Sequence, residues 1–468
     1  MRPAQYLQIQ VNHPTSITNK FSENTNFAIF LAIHFVRVQF FVDRPRRGLG
    51  EGRRVFPRRG RCKGRAMGQT RIYRGWRVVA GAGVGIGFGS AVFISVAFPL
   101  LAVAIAQSYG WSQTDVAKGA SLALLLQALG YFAAGYAVDR WGSRAAAASS
   151  IVLFALSLAA LAASGGTYAL YLLACAMIGL FAAATNVVGY ARAISFWFVA
   201  RRGLALGVAA SFQALGAVAL SLSTQKLIAA TSWSSAVLAL AAFEILVCLP
   251  LVLALVEDDP AARGIIVEGG PQAAVATEPL ARPRLVFAKL AAAFAVMGFT
   301  FYAIVANIGF ILSGAGLNAV EIARVQALSG LGVLVGRIAF GQLLDRLAPA
   351  RVGILAFAAA ALFCWGLAGT HVFIAALAAV LAGSLSIGGE SDLMPYLASR
   401  YFGRARMSRV LGAFLVAFVL GAAMGPFALA KASALMGDPK PALIVLGLLQ
   451  IIPAALFLTL PAYPRARG

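Results

Sequence analysis

From Val78 onward the chain is divided into about twelve apolar segments, each near the roughly 20 residues that a helix needs to cross the hydrocarbon core of a bilayer. They run near 78–106, 115–138, 145–164, 168–191, 203–226, 233–256, 287–313, 321–344, 351–369, 371–397, 408–430 and 441–461. The runs are continuous and lack the period-two alternation of barrel strands, so helices are required. With 60% hydrophobic and 12% charged residues, the chain reads as an all-α polytopic membrane protein.

Lys and Arg number 39 against 16 Asp and Glu, a net charge of +23. In a soluble protein this excess would point to nucleic acid. Here the basic residues gather in alternate short loops, as the positive-inside rule expects, and no nucleic-acid partner is inferred. One set of loops holds Arg140 and Arg144, Arg201 and Arg202, Arg282 and Arg284, Arg346 and Arg351, and Arg404, Arg406 and Arg409, whereas the other set, such as 164–167, is nearly neutral. Both termini are therefore expected in the cytoplasm, with the protein in the plasma (inner) membrane.

Residues 1–66 differ from the rest: a polar start, an apolar stretch interrupted by His34 and Arg37, and a dense basic run. This order does not match a signal peptide. Met67, just before the compact lead-in "GQTRIYRGWR", is the expected physiological start; a basic tail lying on anionic lipid is the rival reading. The expected domains are a six-helix half over 67–256, a Pro/Gly/Ala-rich linker over 257–286 and a second six-helix half over 287–468. Cys175, Cys248 and Cys364 lie in apolar segments and Cys62 in the basic run, without CxxC spacing, so neither disulfide nor metal site is expected.

The two halves repeat. "GYAVDRWGSR" places Gly135, Asp139, Arg140 and Arg144 after the second segment, and "GQLLDRLAPAR" places Gly341, Asp345 and Arg346 after the eighth; 341 − 135 and 345 − 139 both equal 206. Gly110 and Asp115 answer Gly316 and Glu321 at the same offset, since 316 − 110 and 321 − 115 are also 206. Parallel halves with a site between them near the midplane are one of the recurring transporter architectures.

On these residues the chain resembles the major facilitator superfamily over about residues 70–465. "GYAVDRWGSR" is similar to that family's signature between helices 2 and 3, with Ser143 in place of the first of its two final basic residues. The resemblance implies the major facilitator fold, two parallel six-helix repeats, and a cytoplasmic latch between the halves made by the Gly135/Asp139/Arg140/Arg144 and Gly341/Asp345/Arg346 clusters. Physically, Gly135 permits close helix approach and Asp139 can accept from a partner helix N-terminus or an arginine; a bare topology signal is the alternative. "WFVARRGLALG" at 197–207, "MPYLASRYFGRARMSRVLG" at 394–412 and "YRGWRVV" resemble the monocarboxylate and oxalate-formate branch. No proline follows in "GVAASFQALGAVALS", where drug-proton antiporters carry a glycine-proline motif.

Polar groups inside spans mark the expected site, because hydrocarbon disfavours them. Arg337 stands eight residues before Asp345, about 12 Å inside the end of its helix. It matches the arginine with which the resembled branch binds anionic substrate, and a guanidinium fork suits a carboxylate. An internal salt bridge to Glu390 or Asp392 is the alternative. Val333 and Leu100 stand where animal-type monocarboxylate carriers place an acid and a lysine, and residues 411–428 hold no lysine, which disfavours dicarboxylates and the familiar lysine-to-aspartate relay. Low dielectric favours the protonated form of a carboxyl group, making Glu390, Asp392 and Glu244 the candidates for proton coupling, with a permanent charge partner of Arg337 or Arg400 as the alternative for the first two. Gln127, Asn186, Gln213, Tyr302 and Asn307 form the expected cavity-lining set, each open to the simpler reading of a helix–helix bond.

No catalytic or nucleotide-binding motif occurs, and His371 sits in an outer loop, so no enzyme activity and no cofactor is expected. The function expected is secondary transport of a small organic anion, a monocarboxylate above all, coupled to protons, by a protein whose partners are substrate, protons and lipid and which needs no second subunit. An exporter of another organic solute is the alternative, and a non-transporting membrane sensor a further one.

Overall fold

The computed structural model describes residues 73–260, 282–370 and 372–461. Residues 1–66 and Met67, the middle of the linker, His371 and the Glu390 side chain lie outside the described residues. Within them the chain is helical throughout, and twelve helices follow one another in the expected order.

We number them α1 (Gly75–Tyr109), α2 (Gln113–Trp141), α3 (Ser143–Ala162), α4a (Tyr168–Phe181) with α4b (Val187–Trp197), α5 (Arg202–Ala230) and α6 (Trp233–Leu255). The second half holds α7 (Pro283–Gly314), α8 (Ala319–Arg346), α9 (Pro349–Gly369), α10 (Phe373–Tyr401), α11 (Met407–Met436) and α12 (Lys440–Leu458). Eleven of these are long and apolar enough to span a bilayer, and α4a is a shorter apolar helix of 14 residues.

Helix starts follow from local chemistry. Pro283 and Pro349 occupy first-turn positions, where a missing N–H costs nothing. Ser112 accepts from the Asp115 N–H at 3.1 Å at the head of α2. At the same place in the repeat, Asn318 and Glu321 close a capping box on α8. Before each cap, Gly110 (φ 66°) and Gly316 (φ 91°) take the left-handed conformation that glycine adopts without a Cβ penalty. The 206-residue offset read between these positions is thus a repeat of two helix-starting devices, 112 + 206 being 318.

Two helices depart from the regular spans expected. α1 breaks at Gly89, whose ψ of 176° is extended, and α4 breaks over Ala182–Asn186. The breaks lie side by side and satisfy each other. The Ser90 N–H donates to Thr185 Oγ1 at 2.9 Å, the Ala91 N–H to Asn186 Oδ1 at 3.2 Å, and Ser90 Oγ to the Ala182 carbonyl at 3.0 Å. Broken backbone at membrane depth survives only with such partners. α4b also runs on to Trp197 rather than ending near 191, because Arg192 stays in the helix by donating to the Val138 carbonyl and lying over the Phe196 ring. Likewise α7 starts at Pro283, inside the expected linker.

Packing shows how the halves meet. One apolar cluster draws from both halves, uniting Ala193, Trp197, Leu206 and Ala209 with Phe340, Leu344, Tyr396 and Phe414. It lies toward the arginine-rich end, called here the basic end. The other two clusters each stay inside one half: Phe93, Leu101, Phe154 and Trp233 in the first, Ile304, Leu312, Phe363 and Leu443 in the second. Both belong to the opposite end. The halves are therefore joined through a shared core at the basic end and keep separate cores at the other.

Candidate functional site

At the basic end the two motif aspartates do the same work in opposite halves. Asp139, at the foot of α2, accepts from the Ser408 and Arg409 N–H groups at 3.2 and 3.0 Å, the first turn of α11. Asp345, at the foot of α8, accepts from the Gly203 and Leu204 N–H groups at 2.7 and 2.9 Å, the first turn of α5. Each carboxylate thus satisfies orphan donors and the positive end of a helix that belongs to the other half. The motif glycines make this possible: a Cβ on Gly341 would stand 2.6 Å from the Gly203 carbonyl oxygen, and one on Gly135 would collide with the Ser408 carbonyl.

The arginines of the motif divide by role. Arg409, outside the expected set, approaches Asp139 at 3.6 Å and covers the Tyr136 ring at 4.4 Å. Arg140, Arg144 and Arg346 make no contact across the halves among the described residues. Arg144 contributes its backbone N–H, which with that of Ser143 donates to Asp258 and so caps α3 within the first half. Two further links between halves were missed by the motif reading. The buried Arg202 donates to Ser399 Oγ at 2.9 Å, and Phe196 is sandwiched between Arg192 of its own helix and Arg404 of the other half, at 5.0 and 5.2 Å. Burial lowers the pKa of Arg404 from its ordinary value, with Asp259 acting in the opposite sense. "WFVARRG" carried the signal for Arg202; nothing local marks the Phe196 contact.

Deeper in the interface lies Arg337, 8% exposed. It stands nine residues from the end of α8 (346 − 337), Asp392 nine from the end of α10 (401 − 392), and Gln213 eleven from the start of α5 (213 − 202). At 1.5 Å per residue all three lie about 14–17 Å in from the basic end, at similar depth along helices about 42–44 Å long. The guanidinium crosses to the first half: NH1 donates to the Ala210 carbonyl and NH2 to Gln213 Oε1, both at 2.6 Å. Asp392 is 1% exposed and is the acidic neighbour whose charge acts on Arg337, while its Oδ2 has no hydrogen-bond partner. Gly207 of α5 leaves room for both, since a Cβ there would meet the Arg337 carbonyl and stand 3.1 Å from Asp392 Oδ2. α10 packs tightly on α8: a Cβ on Gly388 would lie 2.6 Å from the Arg337 backbone nitrogen.

The other polar residues separate. Gln213 joins Arg337. Gln127 and Asn186 do not: each donates to Ser90 Oγ at 3.0 Å and serves the paired helix breaks of the first half. Asn307 donates to the carbonyls of Ala303 and Pro426, tying α7 to α11. Glu244 is buried in a π turn of α6 beside Cys248 and Tyr190, inside the first half and apart from Arg337. Tyr302 stands edge-on to Phe418 at 6.0 Å and neighbours Tyr131 of the first half. Among the described residues no group of His, Cys, Asp and Glu could hold a metal ion.

Comparison with known proteins agrees with this architecture. No match was found among curated protein sequences. Solved structures are similar along the chain: the human organic anion transporter MFSD10 (TETRAN), at 16% identity and a TM-score of 0.63 over 82% of this chain and 99% of that one; a double tryptophan mutant of XylE, at 14% and 0.67 over 83% and 96%; and FucP in the outward conformation, at 14% and 0.60 over 83% and 98%. These likenesses concern the fold. The family description "Major Facilitator Superfamily" matches residues 83–426, most of the chain, and the protein belongs to that superfamily of membrane transporters rather than to any class of enzyme.

Proposed function

We propose that the protein is a secondary transporter of a small organic anion, a monocarboxylate above all, that works by alternating access with its basic end in the cytoplasm of the plasma membrane. The observation that carries the reading is Arg337, a cation buried well inside the helices with two of its donors bonded to neutral oxygens of the other half. A carboxylate is a stronger acceptor for the same fork than a carbonyl or an amide. One such cation favours a single carboxylate over two.

Proton coupling falls to Asp392 in this reading. A buried carboxyl oxygen without a hydrogen-bond donor is costly when ionised, so proton uptake and rearrangement around Arg337 can be linked there. Glu390 is the second candidate on the same helix, and Glu244 the more remote one. A larger organic solute is the runner-up substrate, supported by the partly exposed Tyr302 and its aromatic neighbour Phe418.

The test is purified protein in liposomes loaded with a pH dye and challenged with monocarboxylates from acetate-sized to aromatic, against protein-free liposomes. Saturable acidification above that control, lost in Asp392→Asn, is the expected result. No excess signal with any acid would overturn proton-coupled carboxylate transport and leave exchange or another solute.

A further inference from the structure

At the basic end, away from the interface between halves, a cavity of about 360 Å³ lies between the start of α1, the start of α3 and the end of α6. Its walls bring together Arg74, Arg77 and Arg144, with Leu253, Val256 and Glu257 on the α6 side. Three guanidinium groups thus converge on one concavity with a single acidic side chain in its lining. Elsewhere the basic end uses its arginines internally, as at Arg202, Arg404 and Arg409. Arg74, Arg77 and Arg144 are exposed, and none has a side-chain hydrogen bond or ion pair among the described residues. Asp258, the nearest further carboxylate, is occupied in capping α3. Among the described residues three guanidinium groups face the Glu257 and Asp258 carboxylates, so the cleft keeps a net positive charge.

The shape adds to the charge. Arg74 and Arg77 are three apart on the first turns of α1 and share a face, and Arg144 reaches the cleft from the first turn of α3. Apart from Glu257 the α6 wall is apolar, and Leu253 in it and Leu251 beyond it, 38% and 36% exposed, continue it onto the outer surface of the helix. A cleft with a guanidinium rim and an apolar flank, at the level where helices leave the membrane, suits a phosphate group.

We infer that the Arg74/Arg77/Arg144 cleft is a binding site for a phosphate group, separate from the transport pathway. A phosphate can arrive as an anionic lipid headgroup or as a free ion, and the two are distinguished by experiment. The full protein, delipidated in detergent, would be exposed to phosphatidylglycerol or phosphatidylcholine and its retained lipid measured by native mass spectrometry. In parallel, inorganic phosphate would be titrated in a thermal-shift assay.

Near a surface each arginine contributes about 1 kcal/mol toward an anionic headgroup, which is roughly fivefold in affinity. Each single alanine variant should then bind about fivefold more weakly, and the triple variant about a hundredfold more weakly. Arg351→Ala, at the same end but outside the cleft, should change nothing. Replacing the three arginines by glutamine removes the charge while keeping polar side chains of similar reach, and serves where the alanine triple does not fold. Phosphatidylglycerol retention that depends on the three arginines and resists millimolar phosphate identifies a lipid site. A phosphate-induced shift that depends on them, without preference for phosphatidylglycerol, identifies a free-ion site. Wild-type levels of both lipid and phosphate binding in a folded triple variant would overturn the inference.

Discussion

Asp139 and Asp345 should control how readily the basic end opens, and their contribution can be worked out from their contacts. Each accepts two backbone N–H bonds from the first turn of a helix in the opposite half. Replacement by Asn keeps one of the two acceptor oxygens, turns the other into an NH2 group that faces an N–H donor, and removes the charge with its attraction to the helix terminus, a combined loss of at least about 1–2 kcal/mol in a partly buried geometry. Asp139→Asn or Asp345→Asn alone should thus shift the equilibrium toward an open basic end about 5- to 30-fold. Both act on one equilibrium from separate contacts, so the double variant should shift it by about 2–4 kcal/mol. Spin labels on Trp141 and Arg406, exposed sites in opposite halves, would report the distance across that end by pulsed electron resonance. Asp258→Asn supplies the control, because it removes the same kind of cap from α3 without bridging the halves. It should lower thermal stability and leave the distance distribution alone. A double variant with the wild-type distribution, or an Asp258 variant that opens the end as far, would refute the latch.

Arg337→Ala should abolish transport while expression is retained, and Arg337→Lys should reduce it more than tenfold because an ammonium lacks the two-pronged fork; wild-type uptake rates in either would rule out the binding role. Ser90→Ala should destabilise the protein by about 1–3 kcal/mol, since it strands the buried Gln127 amide nitrogen and leaves Asn186 only its longer bond to the Ala183 carbonyl as donor, and an unchanged thermal midpoint would show that the paired helix breaks do not depend on that hydroxyl. Gly207→Leu should hold the basic end apart, as its side chain would collide with α8 at Arg337; the same spin-label pair would detect it, and an unaltered distance would count against the close fit.

Much of the fold was legible because hydrocarbon leaves few choices. Continuous apolar runs of spanning length can only be helices, arginines sort to one side, and the 206-residue offset located equivalent helix starts that proved to be Ser112 and Asn318 caps. The motif aspartates were legible for a similar reason: a carboxylate at the foot of a helix needs donors, and helix N-termini supply them. Residues whose role depends on three-dimensional neighbours were less readable. Gln127 and Asn186 looked like cavity-lining groups because a polar residue in a span signals only that some partner exists. Which partner was decided by the break at Gly89, a position that the run's one proline, Pro99, ten residues further on, does not mark. Asp258 lay within what reads as a polar linker, and only its position opposite the start of α3 gives it a function.

Arg337 joins the two levels of the molecule, the latch and the site. In this state its guanidinium is a cross-half strap, bonded to α5 by the Ala210 carbonyl and Gln213, in the same interface that Asp345 closes nearer the basic end. A ligand that takes those donors removes bonds between α5 and α8, and a ligand shifts an equilibrium only by its difference in affinity for the two states. The bonds to Ala210 and Gln213 are already charge-assisted on the donor side. Exchange of two neutral acceptors for one carboxylate therefore gains the attraction of an ion pair, less the cost of desolvating the carboxylate, while loosening the strap. If Arg337 binds the substrate as proposed, binding and release of the halves are one event, and Gln213→Leu separates them. The variant loses the side-chain half of the strap and keeps Arg337, so the basic end should open more readily without substrate and substrate should bind more tightly, since it no longer competes with Gln213. Weaker binding in Gln213→Leu would instead make Gln213 a direct ligand of the substrate and refute the competition.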